Sequence, residues 1–461
     1  MGSAKPNTLI VGLGKTGLSC ARFLAAQGVP LAVTDSRTQP PGLIELQQNL
    51  PDIAVFVGGF DPAAFAAAQQ LVVSPGVSLR EPLIVEAMLR GTPVFGDIEL
   101  FARHAKAPVV AITGSNGKST VTTLVAEMAK SAGRNVRVGG NLGTPALDLL
   151  DDAEPDLYVL ELSSFQLETT LSLNAAAAVV LNISADHMDR YQDIHEYIAA
   201  KERVYHGTGV MVLNADDAAV MSMAQPDRNI VGFGLGLNPN GLGSELKILD
   251  FSVIGPAGQA WGAHGGQPLM AMSEVRIKGL HNIANSLAAL ALGNAVGLPM
   301  DAMLNALRDF PGLPHRSQWV AEIGGVAWYN DSKGTNVGAT LAALQGMPGK
   351  VVLIAGGLGK DADFTPLRQA ALEKARAIVL IGRDAPLIEA ALNGAVPVAH
   401  AATLQDAVMQ AQGLARPGDV VLLSPACASF DMFSGYEERG QVFTDAVLAL
   451  AADVSNTGDA P

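Results

Sequence analysis

Only two cysteines, Cys20 and Cys427, occur in 461 residues. Two thiols cannot build a disulfide framework or a thiolate cluster for structural zinc, so a reducing compartment fits best. Charge is also sparse. Asp, Glu, Lys and Arg make up 16% of the chain, and their balance leaves a formal net charge of −14. That acidic excess opposes broad attraction to nucleic-acid phosphates or an anionic membrane, so a phosphate must be held locally. No run reaches the roughly 18 apolar residues of a membrane span. The apolar stretch at 9–13 is too short for a signal-peptide core and lacks a small-residue cleavage site. Pro6 stands where a myristoylation signal needs Ser or Thr. The expectation is a soluble cytoplasmic protein that binds neither nucleic acid nor membrane, with monomer as the default state.

Apolar residues are plentiful at 49%, with Gly 49 and Pro 26, which suits an α/β protein whose strands are covered on both faces. At roughly 150 residues per domain the length predicts three domains. Strand-like runs at 8–11 and 30–34 flank a helical pattern at 17–27, which predicts parallel strands with crossover helices. A second doubly wound unit is expected from strands at 109–113, 157–160 and 177–181 with a helix at 120–132. The stretch 214–267 reads as more irregular and partly antiparallel, ahead of a helix at 282–295. Two prolines and a glycine at 310–314 predict a hinge. Beyond it the alternation restarts, with strands at 351–355, 377–381 and 419–423 and helices at 387–392 and 404–414. The tail from Asp453 is expected to fray. Boundaries are placed at 97/98 and 311/312.

The strongest local signal is Thr113 followed by Gly114, Ser115, Asn116, Gly117, Lys118, Ser119 and Thr120, between a strand and a helix. Backbone N–H groups of such a loop cradle phosphates, the lysine neutralises β/γ oxygens and the serine reaches Mg²⁺. Ile112 replaces the outer glycine of the usual phosphate-loop pattern. Gly12, Gly14 and Gly17 after the first strand, with Asp35 ending the second, have the layout of a dinucleotide fingerprint. The same glycines would also serve tight helix-to-strand packing, and a diphosphate there could belong to NAD or to a UDP-sugar. Glu161 closes one buried strand, and Asp186 and His187 follow the strand ending near Leu181, at the carboxyl ends where ligands of an α/β sheet gather and divalent metal can be held.

The strings GSNGKST, ELSSFQLE, NISADHMDRY, GLHNIANSLAAL, NDSKGTN and SPACASFD together resemble the Mur ligases, and within them the D-glutamate-adding branch, across nearly the whole chain. The resemblance implies three domains. A Rossmann-like domain at 1–97 would bind a UDP-sugar, a P-loop ATPase-like domain at 98–311 would bind ATP, and a Rossmann-like domain at 312–461 would bind the amino acid. It implies ATP-dependent amide-bond formation through an acyl phosphate, with UDP-N-acetylmuramoyl-L-alanine and D-glutamate as substrates, in peptidoglycan synthesis. Lys118, Glu161, His187 and Lys201 take catalytic roles; Ser119, Glu161, His187 and Lys201 would hold two Mg²⁺ ions, with Lys201 where the family carries a carbamylated lysine. Asn282, His315, Arg316, Asp331 and Lys333 join residues 114–120 in ATP binding. Thr16, Asp35, Ser36, Arg37, Ser74, Gly76 and Asn141 match UDP-substrate positions, although Lys15 stands where the family more often has an apolar residue. Thr335, Lys360, Ser429, Phe430 and Tyr436 match positions that receive D-glutamate. Three rivals differ in what they leave unused. An oxidoreductase leaves the Lys118 loop without purpose, a nucleotide switch needs no carboxylate-binding domain, and another amide ligase differs in its acceptor amino acid.

Overall fold

Buried β-branched runs alternating with helices resolve into three sheets in the computed structural model, which describes residues 7–151, 153–236, 249–256, 259–277 and 279–457. The first sheet is wholly parallel, in spatial order Ala54–Val57, Leu31–Asp35, Thr8–Val11, Gln70–Val73 and Val94–Phe95. Its strand order reverses beside Thr8–Val11, and the loops leaving Val11 and Val73 flank the crevice where such sheets take ligands. Both readings of the first glycines have a physical basis. A Cβ on Gly17, inside the helix Lys15–Ala26, would lie 1.9 Å from the Gly12 carbonyl oxygen, so this glycine is required by packing. Gly14 meets nothing within 4 Å and leaves its backbone open to a ligand.

Among the described residues the second sheet has nine strands, with Val109–Thr113 between Leu157–Glu161 and Ala177–Val180. The region expected to be irregular is more regular than its glycines suggest. Val210–Asn214, Ile230–Gly234 and Phe251–Ile254 extend the parallel sheet, and only Trp261–His264 and Gln267–Ala271 run antiparallel at its edge; part of that stretch, 237–248, lies outside the described residues. The helix predicted from 120 begins earlier, at Lys118, because Gly117 turns the chain with φ +85°. Beyond the helix Leu280–Ala295 a further helix, Met300–Asp309, buries Met303, Leu304 and Leu307 on one face.

The third sheet centres on Val420–Leu423, between Val326–Asn330 and Val351–Gly356, all parallel. Its one antiparallel partner is Gln318–Ile323. The last helix, Tyr436–Thr457, continues past Asp453, where fraying was expected; residues 458–461 lie outside the described residues.

The sheets are joined by packing. One apolar cluster runs from Ile10 and Val33 of the first sheet to Tyr158 and Leu160 of the second, with Phe101 and Tyr158 in an edge-on pair at 5.0 Å. At this joint the buried Asp97 accepts a 3.0 Å hydrogen bond from Gln166. Among the described residues no helix is long and apolar enough to cross a membrane.

Candidate active site

The loop from Gly114 to Gly117 leaves the central strand Val109–Thr113 and delivers its last residues to the N-terminus of the helix Lys118–Ser131. Gly114 has φ +148° and packs so closely that a Cβ would sit 2.9 Å from Leu181. Lys118 folds back over this loop, its ammonium donating to the carbonyls of Gly114 at 2.8 Å and Ser115 at 3.1 Å. Burial pulls the Lys118 ammonium below the usual lysine range, against the pull of Glu161 and Asp186. A helix N-terminus with a lysine over its loop is a ready seat for a polyphosphate.

Glu161 ends the adjacent strand and is buried. Its Oε1 accepts from Asn141 Nδ2 at 2.7 Å, whereas Oε2 has no hydrogen-bond partner. A buried carboxylate oxygen without a donor suits a cation, and Ser119 supplies a hydroxyl to the same cavity. Lys201 is 1% exposed, its ammonium donating to the Gly114 carbonyl at 3.0 Å and lying 4.6 Å from the centre of the Tyr197 ring. Burial, then repulsion from Lys118, moves it far below the ordinary lysine range. A protonated lysine is no metal ligand, whereas its carbamate would provide anionic oxygens. His187 has φ +58° and stands edge-on to Phe165 at 4.8 Å, its Nε2 3.7 Å from Asp186. Burial lowers its pKa, opposed by Asp186. Among the described residues no three His, Cys, Asp or Glu side chains cluster as a metal site.

All seven expected UDP-substrate residues line one cavity of about 880 Å³, together with Ser119, Glu161, Lys333 and Tyr436. Asp35 is already engaged. It accepts from Leu13 N at 2.7 Å and from Arg37 Nε and Nη2 at 2.9 and 2.8 Å, so it shapes the glycine turn and aims Arg37. Burial would raise its carboxyl, but these bonds hold it below the usual range.

A second cavity, of about 280 Å³, lies between the second and third sheets. Asn116, Gly117, Thr120, Asn282, Arg316, Asp331 and Lys333 line it. Arg316 crosses from the third unit to donate to Ser119 Oγ at 2.7 Å. Burial raises the Asp331 carboxyl to about 6 although Ser424 donates to it. Burial also lowers Lys333 to about 8, with its ammonium 3.5 Å from the centre of the Tyr436 ring. His315 stands outside this cavity's lining, its Nδ1 3.0 Å from Asn330 Nδ2.

The residues expected to receive D-glutamate are not gathered in one cavity. Thr335 and Lys360 line a third one, of about 330 Å³, with Asp186 and His187. Tyr436 faces the large cavity, Ser429 is buried and Phe430 is 71% exposed. Lys360 has φ +53° and its ammonium lies 3.3 Å from Asp186 Oδ1. Two residues outside the expected set organise this junction. Asp186 accepts from both Lys360 and Asn336, and Asn336 donates to Asn116 of the phosphate loop at 3.2 Å. Both stand inside the strings NISADHMDRY and NDSKGTN, but their partners lie 150 to 220 residues away in the chain, so the sequence does not show which side chains they hold.

Comparison with known proteins agrees with this architecture. The chain matches models of the Mur ligase MurD-like N-terminal domain at 6–96, the Mur ligase middle domain at 112–293, and the Mur ligase glutamate ligase domain at 315–427. It is 57% identical to the UDP-N-acetylmuramoylalanine--D-glutamate ligase of Nitrosococcus oceani over 96% of both chains. The enzyme of that name from Methylococcus capsulatus is 56% identical over 97% of this chain and 95% of its own. Among solved structures, the UDP-N-acetylmuramate-alanine ligase of Thermotoga maritima superposes with a TM-score of 0.59 at 18% identity, covering 96% of this chain and 99% of the other, a likeness of fold. Three successive domain matches and relatives of this identity over almost the entire length leave one conclusion: the chain belongs to the Mur ligase family.

Proposed function

We propose that this protein joins D-glutamate to UDP-N-acetylmuramoyl-L-alanine, converting ATP to ADP and phosphate, in the cytoplasmic stage of peptidoglycan synthesis. The relatives that carry the name of this reaction support the choice of substrates. The observation that carries the mechanism is that Ser119 and Glu161, beside the phosphate loop, line the same cavity as all seven expected UDP-substrate residues. A ligand held along residues 16–76 would thus bring its free carboxylate to the phosphoryl donor.

In this reading residues 1–97 hold the UDP-sugar, 98–311 hold ATP and 312–461 hold the amino acid, and the protein acts as a monomer. Lys118 and the amides of residues 114–120 grip the phosphates. Asn282, His315, Arg316, Asp331 and Lys333 complete the nucleotide site from two domains. Ser119, Glu161, His187 and Lys201, the last as its carbamate, would hold two Mg²⁺ ions, which when bound neutralise charge on the transferring phosphoryl group. The L-alanyl carboxylate oxygen forms a bond to the γ-phosphorus as the bond to the β-bridging oxygen breaks, giving an acyl phosphate and ADP. Lys118 counters the charge of that transfer, and held geometry supplies much of the rate. The amine of D-glutamate, seated by Thr335, Lys360, Ser429, Phe430 and Tyr436, then bonds to the activated carbonyl carbon and phosphate leaves. His187 and Asp186, beside Lys360 in the third cavity, stand where the ammonium proton would depart.

ADP release tests the proposal. It should require both the UDP-sugar and D-glutamate, and Lys118→Ala should lower turnover by about 100-fold or more. Release that needs another amino acid, or full turnover by Lys118→Ala, would overturn it.

A further inference from the structure

Behind the binding loops of the third sheet lies a buried guanidinium with no part in the chemistry above. Arg439, near the start of the helix Tyr436–Thr457, is 1% exposed. Its Nε donates to Ser332 Oγ at 3.0 Å, its Nη2 to the Ser332 carbonyl at 2.8 Å and its Nη1 to the Cys427 carbonyl at 3.1 Å. All three acceptors are neutral oxygens. A cation withdrawn from water onto neutral acceptors is a costly way to fill space, and an apolar side chain of similar volume would serve packing better. Burial accordingly lowers its pKa to about 10.

The fork of the guanidinium does provide geometry. Ser332 lies between Asp331 and Lys333, which line the nucleotide cavity, and Cys427 lies two residues before Ser429. The two loops also meet directly, Ala426 N donating to the Gly334 carbonyl at 2.9 Å. Ala428 pairs with Leu358, tying in the turn that carries Lys360. Ser332 Oγ in turn donates to the Tyr436 carbonyl at 2.8 Å, closing the ring onto the helix that bears Arg439.

We infer that Arg439 is a positioning residue whose guanidinium holds the nucleotide loop and the amino-acid loop in a single register, so that ATP and the acceptor amino acid are aligned together. The inference rests on the ligase reading and deepens it, since it assigns the coupling of two substrates to a side chain that touches neither. Lysine cannot replace it, because a point charge reaches one acceptor where the rigid fork spans both loops.

Steady-state kinetics of the full chain with ATP, UDP-N-acetylmuramoyl-L-alanine and D-glutamate test this. In Arg439→Lys, KM for ATP and KM for D-glutamate should rise together by about tenfold, the size usual when a supporting shell is cut. Ser332→Ala removes one acceptor and should move both in the same direction by about threefold; it keeps the test open if the arginine variant does not fold. Val447→Ala, buried on the same helix and away from the loops, should lower the melting midpoint while leaving both KM values alone. Folded Arg439→Lys or Ser332→Ala protein with both values within about twofold of wild type, or with only one of them raised, overturns the inference. If the wild type releases no ADP with D-glutamate, the ligase reading fails separately. Titration with a fluorescent ADP analogue then decides, with weaker binding by Arg439→Lys expected and equal binding fatal to the inference.

Discussion

Lys201 shows how far a single residue's chemistry depends on its surroundings. In the sequence it is a helix lysine like any other, and only family resemblance marks it. In the fold it is 1% exposed, with its bonds going to a loop carbonyl and, at 3.5 Å, the Thr113 hydroxyl. Burial that disfavours the charged form raises the share of neutral amine, a nucleophile for CO₂: the nitrogen bonds to carbon, a proton leaves and an anionic carbamate results. ADP release should therefore fall in CO₂-depleted buffer and recover on adding bicarbonate. Lys201→Ala should lose about 100-fold in turnover and no longer respond to bicarbonate. A wild type indifferent to bicarbonate would remove the carbamate from the mechanism. Lys118, by contrast, was legible at once, because a glycine loop ending in Lys-Ser at a strand-to-helix junction has few other uses.

At the scale of elements, the buried strands were plain and their ends were not. Val109–Thr113 and the helix Leu404–Leu414 occur where their patterns predict. The helix after the phosphate loop starts two residues early because the positive φ of Gly117 sets the break, and periodicity cannot report a dihedral angle. That glycine is also a point of test. A Cβ there would lie 2.4 Å from Asn285 Oδ1, on a backbone that L side chains rarely adopt. Gly117→Ala should cost about 1–3 kcal/mol of stability and weaken nucleotide binding at least tenfold, since it distorts the amides that face the phosphates. Melting curves and nucleotide titration would check this, and unaltered affinity would argue against a phosphate cradle. The parallel pairing of Val210–Asn214, Ile230–Gly234 and Phe251–Ile254 was obscured by glycines and turn residues, because strand pairing is settled by partners far away in sequence. The helix Met300–Asp309 was legible, its buried Met303, Leu304 and Leu307 following helical spacing, but it was not anticipated.

The whole molecule adds the joints between the three sheets. Asp97 sits at the first joint, buried, with one oxygen bonded to Gln166 and the other without a partner. Burial raises its carboxyl to about 6. The folded protein thus keeps this proton over a range where the unfolded chain has released it, and the group's stabilising contribution is full below about pH 4 and declines as pH rises to about 6. Asp97→Asn should abolish that decline. Relative to wild type, the variant should gain on the order of 2 kcal/mol between about pH 4 and 7 in denaturant unfolding, and parallel pH profiles would contradict the assignment. At the second joint Arg316, Asn336 and Lys360 reach from the third unit to Ser119, Asn116 and Asp186.

By itself the sequence determined the class of fold, the glycine loop between strand and helix, and the family, because each rests on local patterns: strand and helix periods, glycines where the chain must turn, and motif strings of a few residues. Tertiary structure alone decided that Ser119 and Glu161 face the cavity lined by residues 16–76, that Glu161 keeps a carboxylate oxygen free, and that the expected amino-acid residues are spread among cavities. It also brought Asp186, Asn336 and Arg439 to their places. Asp186 and Asn336 stand inside motif strings, but their partners lie 150 residues or more away, so which side chains they meet is settled only when the sheets pack.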